Sequence, residues 1–292
     1  MAHKSGFVNI LGNPNVGKST IMNALVGENL SVITSKAQTT RHRIMGVISG
    51  QDFQVVYSDT PGIIKPDYKL HESMMKFVRQ ALTDADILLY VTEIDEDYLK
   101  NRDFIDKISQ VNIPLLLLIN KIDLGSQEKL DKLVDSWSEI LRKAIIIPVS
   151  AKEKFNLDTV FRKILELLPE SPPYFPKDTL TDRPERFFAS EIIREKVFLN
   201  YQKEIPYSTE IEIDEFREDN KMLWIRAVIH VARETQKGII IGRNGSALKK
   251  TGTAARNDME KFFGRKVFLE LFVKVNKDWR KSDYQLRRFG YK

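Results

Sequence analysis

Apolar residues in the first half of the chain fall in short unbroken runs: "FVNILG" (7–12), "DILLYV" (86–91), "IPLLLLIN" (113–120) and "AIIIPVS" (144–150). Runs of this length without alternation fit strands covered on both faces, as in a parallel sheet. Between them, "KSTIMNALVG", "LHESMMKFVRQALTDA", "RDFIDKISQ" and "EKLDKLVDSWSEILRKA" space their apolar residues three and four apart, the mark of helices with one buried face. "RHRIMGVISG" and "DFQVVYSDTPG" predict a two-stranded insertion early in the sheet. The alternation as a whole predicts a doubly wound α/β domain over residues 1–170.

The pattern then changes. "LPESPPYFPKDTLTDRPE" carries five prolines, which predicts an extended linker at 171–185. Residues 186–292 predict a smaller α+β domain. Its order is helix ("RFFASEIIREKVFLNYQ"), strand ("TEIEIDEF"), strand ("KMLWIRAVIHVAR"), glycine loop, helix, strand ("KVFLELFVKV") and a last helix ("DWRKSDYQLRRFG"). "TEIEIDEF" alternates with period two, so one face of its sheet should be wet.

Two domains also suit the length of 292 residues, and 42% hydrophobic with 29% charged residues is ordinary for a globular protein. There is no cysteine, which excludes a disulfide framework and a zinc–thiolate site. The start "MAHKSGFVNILG" lacks the features of a signal peptide, and "PLLLLI" is too short to cross a bilayer. A cytoplasmic location is therefore expected. Charge becomes informative once divided. Residues 1–170 hold 21 basic and 22 acidic side chains, residues 171–292 hold 25 and 18, and residues 233–292 alone hold 16 and 6. Such asymmetry points to a polyanion partner for the rear domain, or to a solvated basic face; charge alone leaves both open.

Chemistry enters with "GNPNVGKST" (12–20): Gly12, Asn13, Pro14, Asn15, Val16, Gly17, Lys18, Ser19 and Thr20. The pattern G-x-x-x-x-G-K-[ST] follows a predicted strand and opens a predicted helix. Its glycines let backbone N–H groups meet phosphate oxygens, Lys18 reaches the outer phosphates, and Ser19 ligates Mg²⁺. "DTPG" (Asp59, Thr60, Pro61, Gly62) ends a strand, where Asp59 can hold Mg²⁺ and the Gly62 N–H can meet a γ-phosphate. "NKID" contributes Asn120, Lys121 and Asp123 at the carboxyl end of its strand, where ligands of open α/β sheets bind. The Asp123 carboxylate suits the N1–H and exocyclic amine of guanine, a donor pair that adenine lacks. Ser150, Ala151 and Lys152 follow the next strand, with their backbone directed at guanine O6.

In this order the motifs resemble the translation-factor-like GTPases over residues 6–168. The resemblance implies GTP/GDP and Mg²⁺ as ligands, with Lys18, Thr40, Gly62 and Asn15 carrying the catalytic roles. It favours Thr40 of "AQTTRHR" as the mobile threonine closing over Mg²⁺, with Thr39 as second choice. Ile63 stands directly after Gly62, where related enzymes place a water-orienting glutamine, so intrinsic hydrolysis should be slow. Relatives with an asparagine at the place of Asn15 hold K⁺ beside the phosphates, and the same is expected here.

A second glycine loop, "KGIIIGRNGSALKK" (237–250), lacks the G-K-[ST] ending. Its G-x-x-G, read as lying between an apolar strand-like run and a helix, has the form of a KH loop, which clamps single-stranded RNA. Candidate RNA contacts are Gly242, Arg243, Asn244, Gly245, Lys249, Lys250, Arg256 and Lys281. Lys261, Arg265, Lys266, Lys274, Lys277 and Arg280 could neutralise further phosphates. Ile239, Ile240, Ile241 and Leu248 are core candidates. Tyr284 and Phe289 either stack on bases or anchor the terminal helix. The four histidines show no metal-ligand spacing.

With both halves in view, the chain resembles the Era family: a doubly wound P-loop GTPase domain followed by a smaller α+β KH domain of type II order. "PNVGKSTIMNALVG", "SKAQTTRHRI", "DTPGI", "NKID", "VSA" and "GIIIGRNGSALK" carry the match. The resemblance implies a GTPase switch in small ribosomal subunit assembly, binding the 3′ end of the small-subunit rRNA. It also implies peripheral association with the inner face of the cell membrane; a monomer is expected. The alternative is an RNA-binding assembly chaperone whose nucleotide is structural and whose turnover is incidental.

Overall fold

The computed structural model describes residues 2–96, 101–219 and 221–291. The chain divides into two compact units. One comprises Met1–Ser31, Thr40–Lys65 and Met74–Asp182, and the other Val32–Thr39, Pro66–Ser73 and Arg183–Lys292.

The first unit is built on strands β1 (Lys4–Gly12), β2 (Ile44–Ser49), β3 (Phe53–Asp59), β4 (Ile87–Glu93), β5 (Leu115–Asn120) and β6 (Ile145–Pro148). They form one sheet in the order β2-β3-β1-β4-β5-β6. Only β2 runs antiparallel to its neighbour. The central strands β1, β4 and β5 are the continuous apolar runs of the sequence, and Ile10, Leu89 and Leu117 are fully buried, as two covered faces require. The helices are α1 (Lys18–Val26), α2 (Lys69–Thr83, in this unit from Met74 on), α3 (Arg102–Ser109), α4 (Gln127–Ile140) and α5 (Leu157–Leu167). Parallel pairing aligns the carboxyl ends of β1, β3, β4 and β5, so Gly12, Asp59, Glu93 and Asn120 share one edge.

Residues 171–182, expected as linker, belong to this unit. The Gln54 side chain accepts from the N–H groups of Tyr174 (2.8 Å) and Phe175 (2.9 Å) and donates to the Phe175 carbonyl (2.8 Å). Further on, the Val47 N–H donates to the Leu180 carbonyl at 2.8 Å and the Thr181 hydroxyl to the Met45 carbonyl at 2.7 Å. Edge strand β2 has backbone groups to satisfy, and an extended segment satisfies them. Proline count predicted the extended conformation but not its docking.

The second unit contains α6 (Glu185–Asn200), β7 (Thr209–Glu218), β8 (Met222–Val231), α7 (Glu234–Ile241), α8 (Ser246–Phe263), β9 (Lys266–Val275) and α9 (Asp283–Arg288). Its sheet runs β7-β8-β9, the first pair antiparallel and the second parallel. Ile193 and Val197 of α6, Ile225, Ala227 and Ile229 of β8, and Ala255 and Met259 of α8 meet in its core. The run before the glycine loop is helical, not strand-like. The Gln236 side chain accepts from the N–H groups of Ala232 and Arg233, both at 3.0 Å, and so caps the first turn. Gln236 and Ile240, four apart, are buried, while Ile239 between them is 52% exposed. That is helical spacing, and the three β-branched residues concealed it.

Candidate functional site

The first candidate site lies at the carboxyl edge of the larger sheet. A Cβ on Gly12 would stand 2.2 Å from the Val91 carbonyl oxygen, one on Gly17 2.2 Å from Asn120 Nδ2, and one on Gly62 2.7 Å from the Pro14 nitrogen. Gly12 and Gly17 also have φ of 149° and 97°. The loop from Gly12 to Gly17 therefore wraps the start of α1 as only glycine permits. Asn15, at φ 66°, is exposed in the same loop, a conformation that asparagine tolerates.

Lys18 is buried, and its Nζ donates to the Asn13 carbonyl at 2.7 Å. Burial pulls its pKa down to about 8, against the opposing charges of Asp59 and Glu96. An ammonium so placed gains from a phosphate anion.

The Ser19 hydroxyl donates to Asp59 Oδ2 at 2.6 Å, the Thr40 hydroxyl reaches the same oxygen at 3.2 Å, and the two hydroxyls stand 3.0 Å apart. Asp59 Oδ1 is buried with no hydrogen-bond partner, and burial raises the pKa of the carboxyl. Three hard oxygen donors converge with a further carboxylate oxygen still unsatisfied, so the set fits Mg²⁺. Of the two threonines, Thr40 is the one in this cluster. The Thr39 hydroxyl instead donates to the Lys36 carbonyl and lies beside the Thr34 hydroxyl, both at 2.7 Å. Thr60 is spent on the sheet, donating to the Ile10 carbonyl at 2.7 Å. Ile63, 6% exposed, offers no polar group.

Asn120 clasps three loops: its Nδ2 donates to the Val16 carbonyl at 2.8 Å, and its Oδ1 accepts from the Ala151 N–H at 3.0 Å. In this structure the Ala151 N–H, expected at guanine O6, is taken by that bond. Asp123 is exposed, with Oδ1 accepting from the Ser150 hydroxyl at 2.6 Å. Lys121, at φ 60°, pairs with Glu93, and Lys152 is exposed beside Glu153. Two residues escaped the sequence reading: the Asn13 side chain donates to Glu96 and accepts from Asn101. Neither has a motif around it: Glu96 follows β4 and Asn101 precedes α3.

The second candidate site lies in the smaller unit, where α7 meets α8. Gly242, Asn244 and Gly245 have φ of 71°, 51° and 76°, so the loop turns sharply into α8, with the Ser246 N–H donating back to the Arg243 carbonyl. A Cβ on Gly242 would stand 2.6 Å from that of Ala247. Arg243, Asn244, Lys249 and Lys250 are exposed. Between α8 and β9 runs a groove of about 480 Å³, lined by Leu248, Lys249, Gly252, Thr253, Arg256 and Leu271 among others. The helix residues among them recur every three or four positions, a single face with an apolar floor and the cations Lys249 and Arg256.

Other cations expected on RNA are engaged or elsewhere. Arg265, read as a further phosphate contact, pairs with both Glu185 and Glu218 in this structure. Arg280 stacks over Tyr68 at 4.9 Å from the ring centre, and Lys261 pairs with Asp258 at 3.3 Å. Lys281, though exposed, lies on the turn after β9 and not in the lining of the groove. Phe289 packs on His230 and Trp279, an anchor for the terminal helix, whereas Tyr284 is 74% exposed.

The family of "50S ribosome-binding GTPase" matches residues 7–121, and "KH domain" matches residues 204–280. GTPase Era of Syntrophus aciditrophicus is 45% identical over 291 residues, covering 99% of this chain and 95% of that protein. GTPase Era of Staphylococcus haemolyticus is 40% identical over 291 residues, covering 99% and 97%. A crystal structure of Era in complex with MgGDPNP and nucleotides 1506–1542 of 16S ribosomal RNA superposes with a TM-score of 0.94 at 40% identity, covering 99% of each chain. The chain thus belongs to the GTPase Era family, enzymes that bind guanine nucleotide with Mg²⁺ and hydrolyse GTP on a P-loop domain followed by a KH domain.

Proposed function

We propose that this GTPase is a switch in small ribosomal subunit assembly, whose KH groove holds the single-stranded 3′ region of the small-subunit rRNA. The observation that carries the reading is the groove beside Gly242–Gly245, with Lys249 and Arg256 on its wall, in a chain 40% identical to an Era bound to 16S rRNA. That rRNA belongs to the small subunit, which supports the small subunit here over the large subunit named in the GTPase family's description.

In the nucleotide site, Lys18 neutralises the outer phosphates, the Gly62 N–H meets the γ-phosphate, and Asp123 selects guanine. Ser19, Thr40 and Asp59 hold Mg²⁺, which supplies charge neutralisation across the phosphates when bound. Asn15 places K⁺ beside the phosphates, where a second positive charge compensates for the apolar Ile63. Hydrolysis in potassium buffer should exceed that in sodium buffer by at least about tenfold; equal rates would remove K⁺ from the account. In this proposal the protein acts in the cytoplasm as a monomer; peripheral attachment to the inner membrane face rests on family resemblance alone. Among the described residues no helix is long and apolar enough to cross a membrane.

Filter binding of single-stranded rRNA with each nucleotide tests the switch. A non-hydrolysable GTP analogue should raise RNA affinity over GDP by about tenfold, within the usual range of coupling between two sites. Equal affinities would refute the coupling.

A further inference from the structure

The glycine loop of the smaller unit hangs between α7 and α8, and a single buried hydroxyl is bonded to both helices. Tyr201 follows α6, its N–H donating to the Val197 carbonyl at 3.1 Å, and its ring is 6% exposed in the core of this unit. The phenol O–H donates to the Ile240 carbonyl at 2.8 Å. That carbonyl is in the last turn of α7, where the helix has no N–H of its own left to offer. The phenol oxygen also accepts from the Thr251 hydroxyl at 3.1 Å, and Thr251 Oγ1 in turn accepts from Asn200 Nδ2 at 3.2 Å. Thr251 is fully buried, on the face of α8 that carries Ala255 and Met259 and away from the groove residues Leu248, Lys249, Gly252 and Arg256. Burial raises the pKa of the Tyr201 phenol, so it stays protonated and keeps donating.

Amide, hydroxyl, phenol and carbonyl thus form one directed chain, and a buried chain with its members paired stiffens what it joins. What it joins are the two helices that flank Gly242–Gly245. Ile240 stands just before Gly242, and a planar peptide held at its oxygen is held at the following nitrogen as well. The bonds of the loop itself are short-range, from the Gly245 N–H to the Gly242 carbonyl at 3.2 Å and from the Ser246 N–H to the Arg243 carbonyl. Where Arg243 and the loop backbone point is therefore decided by where the two helix ends stand. We infer that Tyr201 is a positioning residue for RNA: by tying the end of α7 to α8 through one oxygen, it sets the Gly242–Gly245 loop beside the groove. The inference rests on that groove holding single-stranded RNA, as proposed above.

The test is filter binding, across a salt series, of a single-stranded oligoribonucleotide from the 3′ region of the small-subunit rRNA. It compares the full-length parent with Tyr201→Phe, Thr251→Val and Thr251→Ser. Tyr201→Phe removes one oxygen and leaves the ring in its space. RNA affinity should fall about fivefold, as the net loss of one hydrogen bond gives. The slope of log affinity against log salt should flatten, because a displaced loop meets fewer phosphates. Thr251→Val keeps the shape but cannot donate and should lose affinity in the same way, whereas Thr251→Ser should bind as the parent does. A double variant, Tyr201→Phe with Thr251→Val, should lose no more than Tyr201→Phe alone, since both break one chain. A merely structural chain would lower Tm and leave the affinity and salt slope of the folded variants at parental values. That result overturns the inference, as do losses that add. The Thr251 pair decides the matter if Tyr201→Phe does not fold. Gly245→Asp, measured alongside, separates two kinds of failure. If it weakens binding and Tyr201→Phe does not, only the positioning role falls; if neither weakens binding, the groove is not the RNA site and both readings fall.

Discussion

Replacing Lys18 with methionine is expected to lower GTP affinity at least about a hundredfold and to end hydrolysis. The estimate follows from losing two charge-assisted hydrogen bonds to phosphate, each worth roughly 1.5–3 kcal/mol. The unbranched methionine is the closest apolar match to the buried stem, so the space around it should stay filled. The pH dependence adds a sharper signature. In the free protein Lys18 has a pKa of about 8, lowered by burial, and phosphate binds its charged form. Above that pH each nucleotide bound must bring a proton with it. Parental GTP affinity should therefore fall as pH rises past about 8, by at most about tenfold per unit. The methionine variant, with nothing to protonate, should be weak and flat across the same window. Isothermal titration at pH 7, 8 and 9 reads both effects, and a parental profile without slope would mean that Lys18 does not meet the phosphates. In cells, the same variant separates a switch from a chaperone with structural nucleotide. Lost subunit maturation with RNA affinity intact supports the switch, and unimpaired maturation favours the chaperone.

What could be read from sequence was whatever is contiguous along the chain. Strands β4 and β5 were visible because burial on both faces demands unbroken apolar runs, and Leu88–Val91 and Leu115–Ile119 supply them. Gly12–Ser19 and Asp59–Gly62 were visible because a phosphate loop needs its glycines, lysine and hydroxyl within a few residues. Local signals failed where two forces conflict. Ile239–Ile241 favour a strand by propensity, yet the Gln236 cap and the burial of Ile240 settle the segment as α7. Long-range pairing was invisible altogether. Nothing in the local sequence marks Glu96 as a partner of Asn13 across the loop, or Tyr201 as the donor to Ile240. The docking of Leu180 and Thr181 on β2 is of the same kind, since it depends on which strand the topology leaves at the edge.

Single-stranded RNA affinity should fall at least about tenfold when Gly245 becomes aspartate, while GTP hydrolysis without RNA stays at the parental rate. Of the two loop glycines, Gly245 is the one that can be changed cleanly. A Cβ there meets nothing within 4 Å, and φ 76° with ψ 6° lies in the left-handed region that aspartate and asparagine tolerate at a cost of about 1–2 kcal/mol. Gly242, with φ 71° and ψ 180°, has a conformation closed to other residues and a clash with Ala247, so its replacement would disturb the loop before any RNA arrived. At position 245 the new carboxylate stands at the N-terminus of α8 and beside Lys249, where an RNA phosphate would lie, and repels it. Asparagine at the same position carries the backbone cost without the charge, so Gly245→Asn should retain most of the affinity. The difference between the two variants should shrink as salt rises, because added ions screen the repulsion. If both variants bind RNA as the parent does, the loop is not where RNA phosphates sit, and the smaller unit must dock its partner through another surface.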